Sequence, residues 1–169
     1  MNETEAFLRK HQGKGAILDT NLLLVYAVGR YDRRLLGTLH HTKQFEEDFE
    51  WIERLILRWF TKIHTTPNIL TEVSNLGGKL GSSFFDQLKK VIAPLVETHC
   101  PSIAGTADNK FRNVGLTDSI ILAVAATNAS VVLTADFDLY RILRARNLDA
   151  ININYLRQVN WAIGSRELH

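Results

Sequence analysis

A parallel β-sheet held between layers of α-helix, an open α/β sandwich, is the fold class that this sequence predicts. Two observations carry the expectation. Short apolar runs alternate with segments of helical periodicity from Ala16 to the far end of the chain, and strands separated by helices pair in parallel through right-handed crossovers that cover both faces. The 169 residues contain no internal repeat, low-complexity tract or linker, so one compact domain over residues 1–169 is expected.

The elements follow in order. Ala16 to Asp19, behind Gly13 and Gly15, reads as the first strand. A helix over Asn21 to Val28 is expected to stop at Gly29, because glycine accepts the left-handed conformation that ends helices. From His40 to Phe60 the sequence predicts one long amphipathic helix. Phe45, Phe49, Ile52, Leu55, Ile56 and Trp59 recur at helical spacing, with Glu46, Glu47, Glu50 and Glu53 on other faces. Lys62 to Thr65 is a second strand. Thr66-Pro67 then reads as a cap and first turn of a helix running to Leu76, with Gly77-Gly78 as its end.

Ser83 to Ala93 reads as a further helix, and Val96 to His99 as a short strand followed by a helix or loop as far as Arg112. Thr117 is placed as the cap of a helix starting at Asp118, with Ile120 to Ala126 as its buried body. Ser130 to Thr134 is a buried strand, Leu139 to Arg146 a helix, Ala150 to Ile153 a strand and Tyr155 to Trp161 a final helix.

Composition narrows the compartment and the chemistry. Hydrophobic residues make up 46% and charged residues 22%, ordinary values for a globular chain. A single cysteine, Cys100, excludes an internal disulfide and a cysteine-built zinc site, and it points to a reducing compartment. Met1 to Gly15 is polar and mixed in charge, unlike a signal peptide. The longest apolar run, Ile120 to Ala126, is far short of the roughly 20 residues that span a bilayer. A cytoplasmic protein without a membrane partner is expected. The net charge of +2 proves nothing alone, but acids concentrated at one site leave the remaining surface more basic, which suits a polyanionic partner.

Four acids fall at element boundaries on this map. Asp19 ends the first strand, and Asp136 lies just past the strand Ser130 to Thr134. Ligands of open parallel sheets bind beyond the carboxyl ends of strands, where strand order reverses. Asp118 opens a helix and Glu72 lies on the helix after the second strand, so all four can meet on one side of the sheet. Clustered carboxylates repel and call for cations. Hard oxygen ligands select magnesium or manganese, completed by water and substrate phosphates. Such a site can hydrolyse a phosphodiester. Asp138 is a further candidate ligand. Asn21 and Thr134 are placed to orient carboxylates or water.

The segments Ile17-Leu18-Asp19-Thr20-Asn21, Leu70-Thr71-Glu72-Val73, Gly115-Leu116-Thr117-Asp118-Ser119 and Leu133-Thr134-Ala135-Asp136 resemble, in the same order, the four acidic motifs of PIN-domain nucleases. The resemblance spans roughly Ala16 to Ile153. It implies a three-layer sandwich, magnesium or manganese dependence, and hydrolysis of RNA. Members of that family serve as toxins of toxin–antitoxin pairs and as RNA-processing nucleases, so an antitoxin-like protein and a homodimer are the protein partners it suggests. Relative to compact members the chain departs by a helical insertion at about residues 30–61, whose apolar stripe looks wide enough to serve a second chain.

Each acid taken singly has a structural explanation, as helix cap, first-turn charge, turn residue or solvated helix residue. It is the ordered set that points to chemistry. His40, His41, His64 and His99 lack metal-ligand spacing and read as surface or packing residues. Phe45, Phe49 and Trp59 read as core. Arg33, Arg34, Arg141 and Arg144 are weak candidates for RNA contacts. Two other functions compete: an inactive RNA-binding or scaffold protein, which would lack one of the acids, and an aspartyl-nucleophile phosphohydrolase. The second would resemble Asp-x-Asp after the first strand, and here that position is Asn21. The acidic cluster further predicts that Asp19→Asn leaves the metal-free protein at least as heat-stable as the parent.

Overall fold

The computed structural model describes residues 3–157. Its centre is one five-stranded, all-parallel sheet in the order β3-β2-β1-β4-β5. The strands are β1 (Ala16–Leu18), β2 (Ile63–Thr65), β3 (Val96–Glu97), β4 (Val131–Thr134) and β5 (Ala150–Asn152). Ile17 pairs with His64 on one side and Val132 on the other, so β1 is the middle strand. All three residues of β1 and all four of β4 are buried, as expected of strands covered on both faces.

The chain winds from β1 outward to β3, then crosses back to β4 and β5. Right-handed crossovers in opposite directions place the two sets of helices on opposite faces. The first set holds α2 (Thr20–Asp32), α3 (Phe49–Trp59), α4 (Pro67–Gly77) and α5 (Ser82–Ile92); the second holds α6 (Ser102–Thr106), α7 (Phe111–Asn128) and α8 (Phe137–Ala145). Strand order reverses between β1 and β4, and the crevice that binding requires therefore opens there.

Several boundaries differ from expectation for identifiable reasons. An additional helix, α1 (Glu3–His11), precedes β1 and is anchored by buried Leu8 and His11. Gly29 does not end α2, which runs on to Asp32. Gly29 instead lets α3 approach, since a Cβ at that position would run into the Phe49 ring.

The long helix expected over His40 to Phe60 is broken into a 3-10 turn at Lys43–Phe45 and α3. Upstream, buried Thr42 donates its hydroxyl to Leu36 O at 2.6 Å, and Asp48 at the start of α3 pairs with Arg157 at 2.7 Å. The apolar stripe is used within the chain: Phe45, Phe49, Ile52, Leu55 and Ile56 all lie in the core.

Thr66 caps α4 as expected, accepting from Ile69 N at 3.3 Å. Residues 153–157 are helical; the remainder of the helix expected at Tyr155 to Trp161 lies outside the described residues. Among the described residues no helix is long and apolar enough to cross a membrane.

Candidate active site

Asp19 follows β1 directly and is the cap of α2, its Oδ1 accepting from Leu22 N at 2.8 Å. Its Oδ2 accepts from the Thr134 hydroxyl and from Ala135 N at 3.3 Å, both at the end of β4. Three donors thus fix a carboxylate that is only 4% exposed. Burial pushes Asp19 up to about 6 against the downward pull of those hydrogen bonds, with Asp136 adding a smaller upward push.

Asp136 repeats the arrangement one strand over. It caps α8, with Oδ1 accepting from Asp138 N at 2.7 Å and Leu139 N at 2.9 Å. Its own N–H donates to Thr134 Oγ1 at 2.9 Å. Capping and cleft-lining coincide in both aspartates, because a strand that ends in a helix cap under a parallel sheet delivers that cap to the crevice.

Glu72, in the middle of α4, receives hydroxyls on both oxygens. Thr20 donates to Oε2 at 2.9 Å and Thr117 to Oε1. Thr117 is therefore not a cap. The preceding Gly115, at φ 80°, breaks α7, and the helix restarts so that Thr117 lies in its first turn facing Glu72. The same restart places Asp118 in that turn, half-buried and without a hydrogen-bond donor among the described residues. Burial, followed by the charges of Asp19, Asp136 and Glu72, pushes its carboxyl up to about 7.

Asp19, Glu72, Asp118 and Asp136 line one cleft of about 190 Å³, together with Thr20, Asn21, His41 and Leu76. The structure thus brings together the four acids and Asn21, and places Thr134 between two of them. Asp138 is not brought in. It points into a separate groove, 3.9 Å from Arg141. Arg141 and Arg144 line that groove as well. Arg33 and Arg34 border neither hollow, being paired with Glu50 and Asp32.

Three residues at the site escape the sequence reading: Thr20 and His41, which line the cleft, and Thr117, which donates to Glu72 from beside it. The two threonines each adjoin a motif acid, which was a usable signal. His41 is brought in by the turn between the 3-10 segments Arg33–Thr38 and Lys43–Phe45, and nothing local announces that.

No Lys or Arg lines the cleft among the described residues. Four carboxylates with no Lys or Arg among the described residues to balance them, two of them (Asp19 and Asp118) raised, form an oxygen-donor set that fits a divalent cation. No group of three or more His, Cys, Asp or Glu side chains among the described residues is arranged to hold an ion unaided. Water and substrate oxygens would complete such a coordination. No known family's sequence model matches the chain, and no curated protein is significantly similar to it.

Proposed function

We propose that the protein is a metal-dependent ribonuclease of the PIN-domain type that hydrolyses RNA phosphodiester bonds. The observation that carries the reading is the meeting of Asp19, Glu72, Asp118 and Asp136, from four separate elements, in one cleft at the switch point of a parallel sheet. A site of this composition supports magnesium or manganese, which Asp19, Glu72, Asp118 and Asp136 would hold together with water and substrate oxygens. Bound there, the ion supplies a lowered pKa for an attacking water and charge stabilisation at the phosphoryl oxygens.

The chain's own part is positioning. The Thr134 hydroxyl and two backbone N–H groups fix the Asp19 carboxylate, so only small adjustments remain on binding. Thr20 and Thr117 hold Glu72 against α2 and α7, keeping the cleft walls together. Asp118, without a donor among the described residues and lifted by burial and then by its neighbours, is the carboxyl most open to exchange a proton for a cation. A nucleophilic role for Asp19 is disfavoured, since both its oxygens already accept hydrogen bonds and Asn21 stands where an aspartyl-nucleophile enzyme has a second acid. The unpaired Cys100 is in keeping with a cytoplasmic location.

The test is incubation of nuclease-free protein with labelled single-stranded and structured RNAs, with magnesium, manganese or chelator, alongside Asp118→Asn. Cleavage that needs metal and is abolished by Asp118→Asn is the expected result. Undiminished cleavage in excess chelator, or no cleavage with either metal, overturns the reading.

A further inference from the structure

A hollow of about 760 Å³ lies between the first turns of α7 and the outer face of α8. Its walls are basic: Lys110, Arg141, Arg144 and Arg146. Two of these are committed. Arg146 clamps Asp108 through two hydrogen bonds, at 2.5 and 2.8 Å, and donates to Asn109 Oδ1 at 2.9 Å. That clamp holds the 108–110 turn against α8. Arg141 stands 3.9 Å from Asp138, the acid in the groove wall, and offsets it. Lys110 and Arg144 have no ion-pair partner among the described residues, and both are exposed.

Both helices that wall the groove also carry a residue of the carboxylate cleft. On α8, Asp136 lines the cleft and Asp138 the groove, with Phe137 between them. On α7, Asn113 lines the groove and Asp118, past the Gly115 break, lines the cleft. Phe137 is 53% exposed, although it is an aromatic residue in the first turn of a helix that buries Leu139 and Leu143. The Arg141 guanidinium lies 5.9 Å from its ring centroid. An exposed ring that falls in the chain between a residue of the acidic cleft and a residue of the basic groove matches the chemistry of unpaired nucleic-acid strands, which use cations for phosphates and aromatic faces for bases. A duplex keeps its bases stacked on each other and offers no face to Phe137.

We propose that the α7–α8 groove binds the backbone of single-stranded RNA through Lys110 and Arg144, and that Phe137 stacks a base at the groove's exit so that the adjoining phosphodiester enters the carboxylate cleft. This rests on the ribonuclease reading for the direction of travel, but binding is measured apart from cleavage. Anisotropy of a labelled single-stranded oligoribonucleotide in chelator, over a range of salt, reads the groove alone. The double variant Lys110→Gln/Arg144→Gln is expected to bind about tenfold or more weakly, with a log–log salt slope shallower by about 1.4, or about 0.7 for each phosphate no longer neutralised. Phe137→Leu is expected to bind about tenfold more weakly with an unchanged slope, and Phe137→Trp to restore binding. All three side chains are exposed, so the melts of these variants should match the parent.

Equal binding by parent and variants, when the parent cleaves RNA, overturns the groove and leaves the ribonuclease reading in place. Groove-dependent binding with no cleavage in magnesium or manganese supports the groove and overturns the ribonuclease reading. No binding at low salt, together with no cleavage in magnesium or manganese, overturns both. Equal affinity for duplex and single strand overturns the stacking role of Phe137, and equal competition by polyglutamate overturns nucleic acid as the ligand.

Discussion

The Thr134 hydroxyl donates to Asp19 Oδ2 while accepting the N–H of Asp136 at 2.9 Å, so one oxygen on β4 couples the two aspartates that end neighbouring strands. Thr134 and Asp19 are both buried, and the bond holds the Asp19 carboxylate lower than burial alone would. Thr134→Val keeps the shape and removes both functions. Leaving the part-buried Asp136 N–H and the buried Asp19 oxygen short of partners should cost about 1–3 kcal/mol. The Asp19 carboxyl should rise further and bind a divalent cation less readily at neutral pH. Thr134→Ser should behave like the parent. Urea unfolding and manganese titration by calorimetry check both halves; a valine variant equal to the parent in each would show that Thr134 is merely packed there.

His41 is the only cleft-lining residue, among those described, that can carry positive charge. It is exposed, in an edge-to-face contact with His40 at 5.3 Å. Removing an exposed side chain changes stability by no more than about 0.5 kcal/mol. His41→Ala should therefore melt like the parent yet cleave RNA about tenfold more slowly or worse, because the imidazole lines the cleft that would receive the phosphate. His40→Ala is the control, with near-parental cleavage expected. Equal rates for parent and His41→Ala would remove His41 from the site.

Gly29 and Phe49 tie the inserted segment to the sheet-covering layer. Alanine at 29 would favour the helix by propensity, but its Cβ would meet the Phe49 ring, and Phe49 is buried. Overpacking of this kind costs typically about 1–3 kcal/mol. Gly29→Ala should lower the urea midpoint, and Gly29→Ala/Phe49→Leu should recover part of the loss by making room. A stabilised Gly29→Ala would mean that the ring moves aside at no cost.

The same glycine shows where sequence reading stops. Asp19 and Asp136 were legible as site residues because both end apolar runs, and a parallel sheet gathers such ends at its switch point. Their neighbouring strands were legible for the same reason. Gly29 reads as a stop because local chemistry cannot reveal that a ring distant along the chain, that of Phe49, needs the space. Phe45 and Phe49 keep helical phase with each other, so periodicity could not register the interruption between them, where Asp48 answers Arg157 across the fold. Helix α1 escaped because its anchors, Leu8 and His11, are too few to make a periodic stripe. Asp138 looks like a ligand by proximity in sequence, but two residues along the helix turn it to the other hollow.

The acids of the cleft differ in what sets their protonation, and this separates two substitutions. Asp118 has no donor among the described residues and is raised to about 7 by burial and three neighbouring acids. Between its unfolded value near 3.9 and about 7, the folded state holds more protons than the unfolded one. Stability of the metal-free protein should then fall as pH rises through that window and level off above it. Asp108 acts oppositely: the Arg146 clamp lowers it to about 2, so its contribution is present above about pH 4 and is lost only as pH falls toward 2. Asp118→Asn removes the repelling charge without breaking a hydrogen bond. The metal-free variant should melt above the parent at pH 8, and the difference should shrink to nothing near pH 4. The three donors on Asp19 give the opposite outcome there, revising the expectation from the acid pattern alone. An amide offers one acceptor oxygen where the carboxylate serves Leu22 N, Ala135 N and the Thr134 hydroxyl. Asp19→Asn should lower stability by roughly 1–3 kcal/mol, although it also removes a carboxyl raised to about 6 by burial. Magnesium should stabilise the parent more than either variant, since a ligand of the folded state alone adds stability. Melts of the three proteins at pH 4, 6 and 8, in chelator and in magnesium, measure all of this together. If Asp118→Asn melts below the parent at pH 8 in chelator, an unseen cation or donor balances Asp118, and the cleft does not hold the uncompensated charge that a metal would be needed to offset.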